Sequence, residues 1–420
     1  MKTENKKALS YHSKYPAGKI KIIPSKKFYS PKYLSYAYSP GVAEPCKEII
    51  KKKKKVYKYT NKKNLVGVIT NGTAVLSLGD IGPKASKPVM EGKALLFKIF
   101  ADIDVFDLEI KEKDPKKFIE IVKSISPTFG GINLEDIKSP EAFQIEKELK
   151  KINIPVMHDD QHGTAIISGA ALINALELVN KKIENIKMVI NGAGAAAISC
   201  GRIYKKLGVQ HIFMCDSHGV LNNRRKNLTK EKLEFCVKTS DTKLEEIIIN
   251  SDVFIGLSVG NILNQKMLRS MSRNPIIFAL ANPNPEIKYH KALKTRSDII
   301  IATGRSDYPN QVNNALCFPY IFRGALDVKA TSINEEMKLA ALYAIAKIAK
   351  EPVPKKISLL YNEKNIKFGK NYIIPKPFDH RLMGNVSIAV AKAAIKSGVA
   401  KKKIKNWKKY FAELKSRIII

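Results

Sequence analysis

Between Lys187 and Asp216 the chain reads "KMVINGAGAAAISCGRIYKKLGVQHIFMCD". This is an apolar run, a turn of glycine and alanine, a helix-forming stretch and a second apolar run ending on a carboxylate. No other segment narrows the fold so far. Gly192, Ala193, Gly194, Ala195, Ala196 and Ala197 have G-x-G-x-x-A spacing. The first glycine permits a tight turn, and the second lets a pyrophosphate approach the backbone. The small third position lets helix and strand pack closely. The phosphates would then rest on a helix N-terminus. Asp216 lies 24 positions after Gly192, where a ribose-binding carboxylate belongs. Its charge would favour NAD. Ser217, His218 and the run Arg224, Arg225, Lys226 would accommodate the extra phosphate of NADP. Both coenzymes stay open.

The same rhythm recurs on either side. After the Gly-rich turn come "DVFIGLS", "PIIFALANPNPE" and "DIIIATGRSDYPNQ", short apolar runs that end in polar loops. Before it, "NLVGVIT", "AVLSLGDIG", "DVFDLEI", "FGGINLEDI" and "IPVMHDD" read as strands. Between them, "KPVMEGKALLFKIFA" reads as a helix opened by Pro88, "DPKKFIEIVKSIS" as one with Pro115 in its first turn, and "SPEAFQIEKELKKI" as one capped by Ser139. Strands alternating with helices predict an α/β protein with mostly parallel sheets. We expect an N-terminal α/β domain (1–160) bearing substrate, metal and catalytic groups. A doubly wound Rossmann-type domain (161–385) and a C-terminal helical tail (386–420) should follow.

The chain has 420 residues and a net charge of +36, from 74 Lys and Arg against 38 Asp and Glu. The basic residues are spread along it and not interleaved with aromatics on one element, so no nucleic-acid partner is expected. No apolar stretch reaches membrane-span length, and the first residues lack the apolar core of a signal peptide. Five scattered cysteines without a C-x-x-C pair fit a reducing compartment, the cytoplasm.

Few acids remain, yet they cluster. Glu135 and Asp136 end one predicted strand; His158, Asp159 and Asp160 end the next, followed by His162. In α/β sheets chemistry collects at carboxyl ends of strands. Glu135, Asp136 and Asp160 offer oxygen-only ligands, which select Mg²⁺ or Mn²⁺ over zinc. The two histidines suit supporting positions. Lys93 sits in the apolar helical stretch "PVMEGKALLF", where burial and a nearby cation would lower its pKa towards that of a base.

Taken together, "AYSPGVAEPC", "NGTAVLSLGDIG", "KPVMEGKALLFKIFADIDVFD", "PTFGGINLEDI", "PVMHDDQHGTAIISGAAL", "NGAGAAAISC", "FALANPNPE" and "TGRSDYPNQVNNALCFPYIFRGALDV" closely resemble bacterial malic enzyme, over about residues 10–400. The resemblance implies metal-dependent oxidative decarboxylation of L-malate to pyruvate and CO₂ with reduction of NAD(P)⁺. Decarboxylation of oxaloacetate would be a second activity. It implies Tyr38 as general acid, Lys93 as general base, and Glu135, Asp136 and Asp160 as metal ligands. It also implies that Asn282 and Asn314 hold substrate and nicotinamide-side groups, that Ala193 to Ala196 line the pyrophosphate, and that the protein is a homo-oligomer. Larger animal-type relatives carry a substrate-binding arginine where Ala74 stands, a loss shared by the bacterial branch. Thr73 and nearby amides are then the expected partners of the second malate carboxylate. The bacterial branch often continues into a phosphate-acetyltransferase-like domain, and the expectation is a short form without it. The competing reading is a metal-independent hydroxy-acid or amino-acid dehydrogenase.

Overall fold

The computed structural model describes residues 2–26, 29–76 and 78–418. Strands β1 (Leu65–Thr70), β2 (Asp104–Glu109), β3 (Gly131–Leu134) and β4 (Val156–His158) form a parallel sheet of order β2-β1-β3-β4. Strands β5 (Lys187–Asn191), β6 (His211–Asp216), β7 (Gly219–Val220), β8 (Val253–Gly256), β9 (Ile276–Ala279) and β10 (Ile300–Thr303) form a second sheet, ordered β10-β9-β8-β5-β6-β7. There only β7 runs antiparallel, against β6. Strands β1, β3, β5 and β8 are almost wholly buried, as helix-covered parallel strands must be. Both sheets reverse their winding at one place, between β1 and β3 and between β5 and β8. Crevices open at the carboxyl ends of strands where winding reverses, so the topology sets out two site locations.

The helix Asp159–Leu178 joins the sheets as one uninterrupted element, buried along most of its length. The expected 160/161 boundary falls inside it. The 385/386 boundary falls inside the helix Arg381–Lys396, which packs on the helix Glu335–Lys350. The C-terminal helices Arg381–Lys396 and Trp407–Ser416 bury residues in the main core. The helix Phe318–Asp327 crosses back to the first lobe, packing on the helix Gly82–Ala101. Phe97 of the helix Gly82–Ala101 meets Phe318 edge-on at 4.7 Å and Phe322 at 5.4 Å between ring centroids. Buried Arg323 donates to Asn64 and pairs with Asp327. Burial of each such aromatic side chain contributes roughly 1.5–3 kcal/mol.

Three local expectations change. "AVLSLGDIG" is a tight turn and not a strand. Val75 bridges only Gly79, Leu76 has a left-handed φ of +47°, and Ser77 lies outside the described residues. The helix opens at Gly82, with Pro83 in its first turn and Pro88 inside it. The internal proline forgoes one backbone bond at a cost of ~3 kcal/mol. Burial of Met90, Ala94, Phe97 and Phe100 on the same helix offsets it. The helix Glu141–Leu149 has Pro140, not Ser139, at its N-cap.

Candidate active site

Register brings the acids together. Strands β3 and β4 pair Leu134 with His158, so Glu135 and Asp159, then Asp136 and Asp160, leave the sheet at matching heights. The Asp136 backbone, left-handed at φ +54°, donates its N–H to Asp160 Oδ2 at 2.8 Å. Glu135, Asp136 and Asp160 each offer an oxygen within 4.8 Å of the others. Asn133 steadies Glu135 with a 2.8 Å bond to Oε2. Asp136 Oδ2 is buried without a hydrogen-bond partner. Burial, and after it the Asp160 charge, pushes the Asp136 carboxyl up to about 8. Burial likewise raises Glu135 well above the carboxylate range, against the pull of Lys93. Oxygen donors alone, one of them orphaned, with excess negative charge out of water, fit a hard divalent cation.

Lys93 projects into this cluster from the helix Gly82–Ala101, one turn before Phe97. Its Nζ lies 2.7 Å from Asp159 Oδ2, 2.9 Å from Glu135 Oε1 and 4.3 Å from the centre of the Phe318 ring. Burial works to lower its pKa, but Asp159 and Glu135 outweigh burial and hold the ammonium above the ordinary lysine value. The expected lowering is thus reversed while the carboxylate charge is uncompensated. Asp159, which the sequence reading gave no role, is fully buried and also accepts from Asn314 Nδ2 at 3.0 Å. The His-Asp-Asp doublet was the available signal: adjacent residues at a strand end point in different directions, one to Lys93 and one to the cation site.

Asn314 is tied to the cluster from the second lobe, where the Gln311 bridge to Thr303 anchors its loop at the end of β10. Thr164 donates to its Oδ1 at 3.2 Å. His158 and His162 are not members of the carboxylate triad, and His158 Nε2 lies 3.8 Å from Asp160 Oδ2 at its edge. Glu146 fixes their turn, accepting from the His158 N–H at 3.1 Å and contacting His162 Nε2 at 2.8 Å. Burial takes the His162 imidazole down to about 4, and the buried Lys338 ammonium lies beside its ring. Thr73 is otherwise engaged: its hydroxyl donates to Asn71 at 2.7 Å and accepts from the Lys138 N–H at 3.0 Å. The Ala74 N–H is spent on the Asp136 carbonyl at 3.0 Å. The Thr73 hydroxyl proton and the Ala74 N–H are thus engaged within the protein. Tyr38 ends the helix Pro31–Ala37, is 71% exposed, and has no described contact with the cluster. Asn282 is exposed just after β9, with its amide against Gly304.

The second crevice is a groove of about 470 Å³ lined by Gly192, Ala193, Gly194, Asp216, Lys232 and Ser258 among others. Gly192 has φ +131°, and a Cβ there would lie 2.6 Å from the Leu257 carbonyl oxygen. Gly194 is different: its Cβ would meet nothing nearer than 4.0 Å. It is the N-cap of the helix Ala195–Leu207 and supplies no capping side chain, so the first N–H groups of that helix are left without a side-chain cap where Gly194 lines the groove; Ala195 and Ala196 are not among the groove's lining residues. A bare backbone at a helix N-terminus fits a pyrophosphate.

Comparison with known proteins agrees with both lobes. Residues 17–150 match "Malic enzyme, N-terminal domain" and residues 161–368 match "Malic enzyme, NAD binding domain". An NADP-dependent malic enzyme of Haemophilus influenzae is 54% identical over 412 residues, 97% of this chain and 54% of the relative. The chain thus spans about half the length of that relative. An NADP-dependent malic enzyme of Halomonas elongata is 49% identical, with 94% of each chain covered. A crystal structure of malic enzyme from Pyrococcus horikoshii superposes with a TM-score of 0.90 at 42% identity, covering 99% of this chain and 96% of the other. Two consecutive domain matches, and near-complete coverage of relatives of equal length, show that this chain belongs to the malic enzyme family.

Proposed function

We propose that the protein oxidatively decarboxylates L-malate to pyruvate and CO₂ with reduction of NAD(P)⁺, using Mg²⁺ or Mn²⁺ held by Glu135, Asp136 and Asp160. One observation carries this reading. A buried lysine amine lies between two carboxylates at the edge of a three-carboxylate cluster that fits a divalent cation. A base beside a Lewis-acid site is what hydroxy-acid oxidation followed by decarboxylation requires.

A divalent cation held there would polarise the substrate hydroxyl and offset the charge that keeps Lys93 protonated. The nicotinamide would supply the hydride acceptor at C4. Lys93 Nζ then takes the C2 hydroxyl proton as the C2 hydride departs, giving oxaloacetate. Asp159 and Glu135 orient the amine and stabilise the ammonium that forms. After CO₂ leaves, Lys93 returns its proton to the enolate oxygen. Tyr38 donates a proton to C3 of enolpyruvate as the ketone forms, and Lys93 takes the enol proton back. Phe318 and the apolar helix faces exclude water from the amine. Asn314 holds Asp159 in place and extends the site towards the nicotinamide, with Asn282 on the same side. Decarboxylation of added oxaloacetate follows from the same groups.

Tyr38 lies on a face with Tyr33, Leu34 and Tyr36 exposed beside it, on a helix with no buried residue. A second copy covering this face would shield that apolar surface and bring the phenol to substrate, so we assign a homo-oligomer. All five thiols are free, which suits the cytoplasm, and no described helix is long and apolar enough to cross a membrane. The deciding experiment strips the protein with chelator, restores Mn²⁺, and follows reduced coenzyme and pyruvate with malate. Turnover that needs the restored cation supports the assignment. Turnover indifferent to EDTA would favour the metal-independent dehydrogenase, and no turnover with either coenzyme would end the proposal.

A further inference from the structure

The loops that follow β8 and β9 flank the coenzyme crevice. Leu257, Ser258, Val259 and Ile262 line the groove from the first loop. Asn282, expected on the nicotinamide side, stands exposed on the second. No helix or strand covers 257–264 or 280–288, yet one side chain ties the two loops together. Glu286 is fully buried. Its Oε1 accepts from the Ser258 N–H at 3.3 Å and its Oε2 from the Ala281 N–H at 3.1 Å. Its own carbonyl accepts from the Leu263 N–H at 3.0 Å, and the Pro285 carbonyl accepts from the Asn261 N–H at 3.0 Å. The bonds continue inwards: the Asn191 amide, one residue before Gly192, donates to the Ser258 hydroxyl at 2.6 Å. A row of bonds thus crosses the carboxyl ends of β9, β8 and β5, with Glu286 at its outer end. Strand β8 makes room for this side chain by ending on Gly256, where a Cβ would lie 2.2 Å from Glu286 Cδ.

The carboxylate does this without a counter-ion. Among the described residues no lysine, arginine or histidine pairs with it. Arg305 reaches the same loop only at the Pro283 carbonyl, and Asp307 pairs with that guanidinium. Burial pushes the Glu286 carboxyl from 4.5 up to about 7, against the pull of the Ala281 N–H, its own N–H and the Ser258 N–H. An unpaired buried charge costs stability. A glutamine of the same shape would escape that cost, but it has one carbonyl oxygen where two N–H groups need an acceptor. Its NH₂ group would meet the second N–H, donor against donor.

We infer that Glu286 is a positioning residue for the coenzyme: its ionised carboxylate fixes the spacing of the Ser258 and Asn282 loops, and so the shape of the groove that receives the nucleotide. The inference rests on the coenzyme reading of this groove and not on the malate chemistry. Ionisation matters because a carboxylate offers an acceptor to each N–H, whereas a protonated carboxyl turns an O–H donor towards one of them.

The test is calorimetric binding of NAD⁺ and NADP⁺ to the full chain in EDTA, from about pH 6 to about pH 8.5, for wild type and Glu286→Gln. Wild-type affinity should rise with pH through about 7. Glu286→Gln should bind about tenfold more weakly at about pH 8 and lack that rise. Melting separates this role from a scaffold role. The folded value lies above the unfolded one, so the wild type loses stability between about pH 4.5 and about pH 7 as the buried group ionises. The amide has no such loss, and at about pH 8 the variant should melt no lower than wild type. A purely structural brace predicts the reverse, lower melting with coenzyme affinity kept. Variant affinity within about twofold of wild type would overturn the inference, as would a pH rise shared by the variant. If the variant does not fold, the wild-type profile decides alone, and NAD⁺ affinity that stays flat across the range overturns it. Malate turnover is measured separately. Unaltered coenzyme binding in the variant fails this inference alone, and a wild type that binds coenzyme but leaves malate untouched fails the functional proposal alone.

Discussion

Asp136→Asn separates the cation site's two physical consequences, since it should stabilise the protein without metal and forfeit most of the stabilisation that metal brings. The cation-free fold carries Asp136 with an orphaned Oδ2 and a carboxyl raised from its ordinary 3.8 to about 8. At about 1.4 kcal/mol per tenfold, charging that group costs at most ~6 kcal/mol. The neighbouring carboxylates share protons with it, so the realised part is about 1–3 kcal/mol. Asparagine keeps the shape, tolerates the left-handed φ of +54° and can donate to the adjoining carboxylates. In EDTA at about pH 8 the variant should melt roughly 1–3 °C above wild type. The sign follows from linkage. The folded-state value lies above the unfolded one, so the folded protein holds the extra proton between about pH 4 and pH 8. Wild-type stability falls as pH rises through that window, and the amide has no such loss. The variant's advantage should vanish below about pH 4. Mn²⁺ acts in the opposite sense. At 100 times its Kd the cation adds ~2.7 kcal/mol to wild type; a variant bound about 100-fold more weakly gains only ~0.4 kcal/mol. Differential scanning calorimetry with EDTA, with Mn²⁺ and across pH measures all of this. A variant less stable than wild type in EDTA, or equally stabilised by Mn²⁺, would refute the reasoning.

The remaining expectations address the chemistry and the groove. Lys93→Ala should lower kcat by about 10²–10⁴, the usual share of a general base, in steady-state assays at saturating malate and Mn²⁺; near-normal turnover would remove Lys93 from that role. Tyr38→Phe should leave hydride transfer, seen by stopped-flow absorbance of the reduced coenzyme, less affected than the release of pyruvate. Gly192→Ala should destabilise the fold by ~2 kcal/mol or more, from its clash with Leu257 and its positive φ. Gly194→Ala should leave the melting temperature nearly unchanged yet weaken nucleotide binding. Similar behaviour of the two alanine variants would contradict the distinction between a structural and a ligand-facing glycine.

What was legible in the sequence followed from local rules. Val- and Ile-rich runs broken by polar loops gave the strands. Acids at the ends of two successive runs gave the cation site, because parallel strands in register carry their ends to one place. The illegible parts were set by distant contacts. The alternation in "AVLSLGDIG" resembles a strand, but Leu76 and Gly79 fold it into a turn. Asp159 could not be separated from Asp160 until the helix start and Lys93 fixed which way each pointed. Arg225 and Lys232 pair with the Asp216 carboxylate, expected free for a ribose, only because the β6–β7 hairpin reverses the chain. Thr73 looked available for the substrate, and only its three-dimensional neighbours show its hydroxyl is engaged.

The return of the Phe318–Asp327 segment across the seam decides how the molecule can be divided. Cutting the gene near codon 180 would leave the amino-terminal half with the faces of Phe97 and Phe100 stripped bare, and with Lys93 lacking the aromatic wall beside its amine. That half should aggregate alone and become soluble on co-expression with the carboxy-terminal remainder, which restores the missing wall in trans.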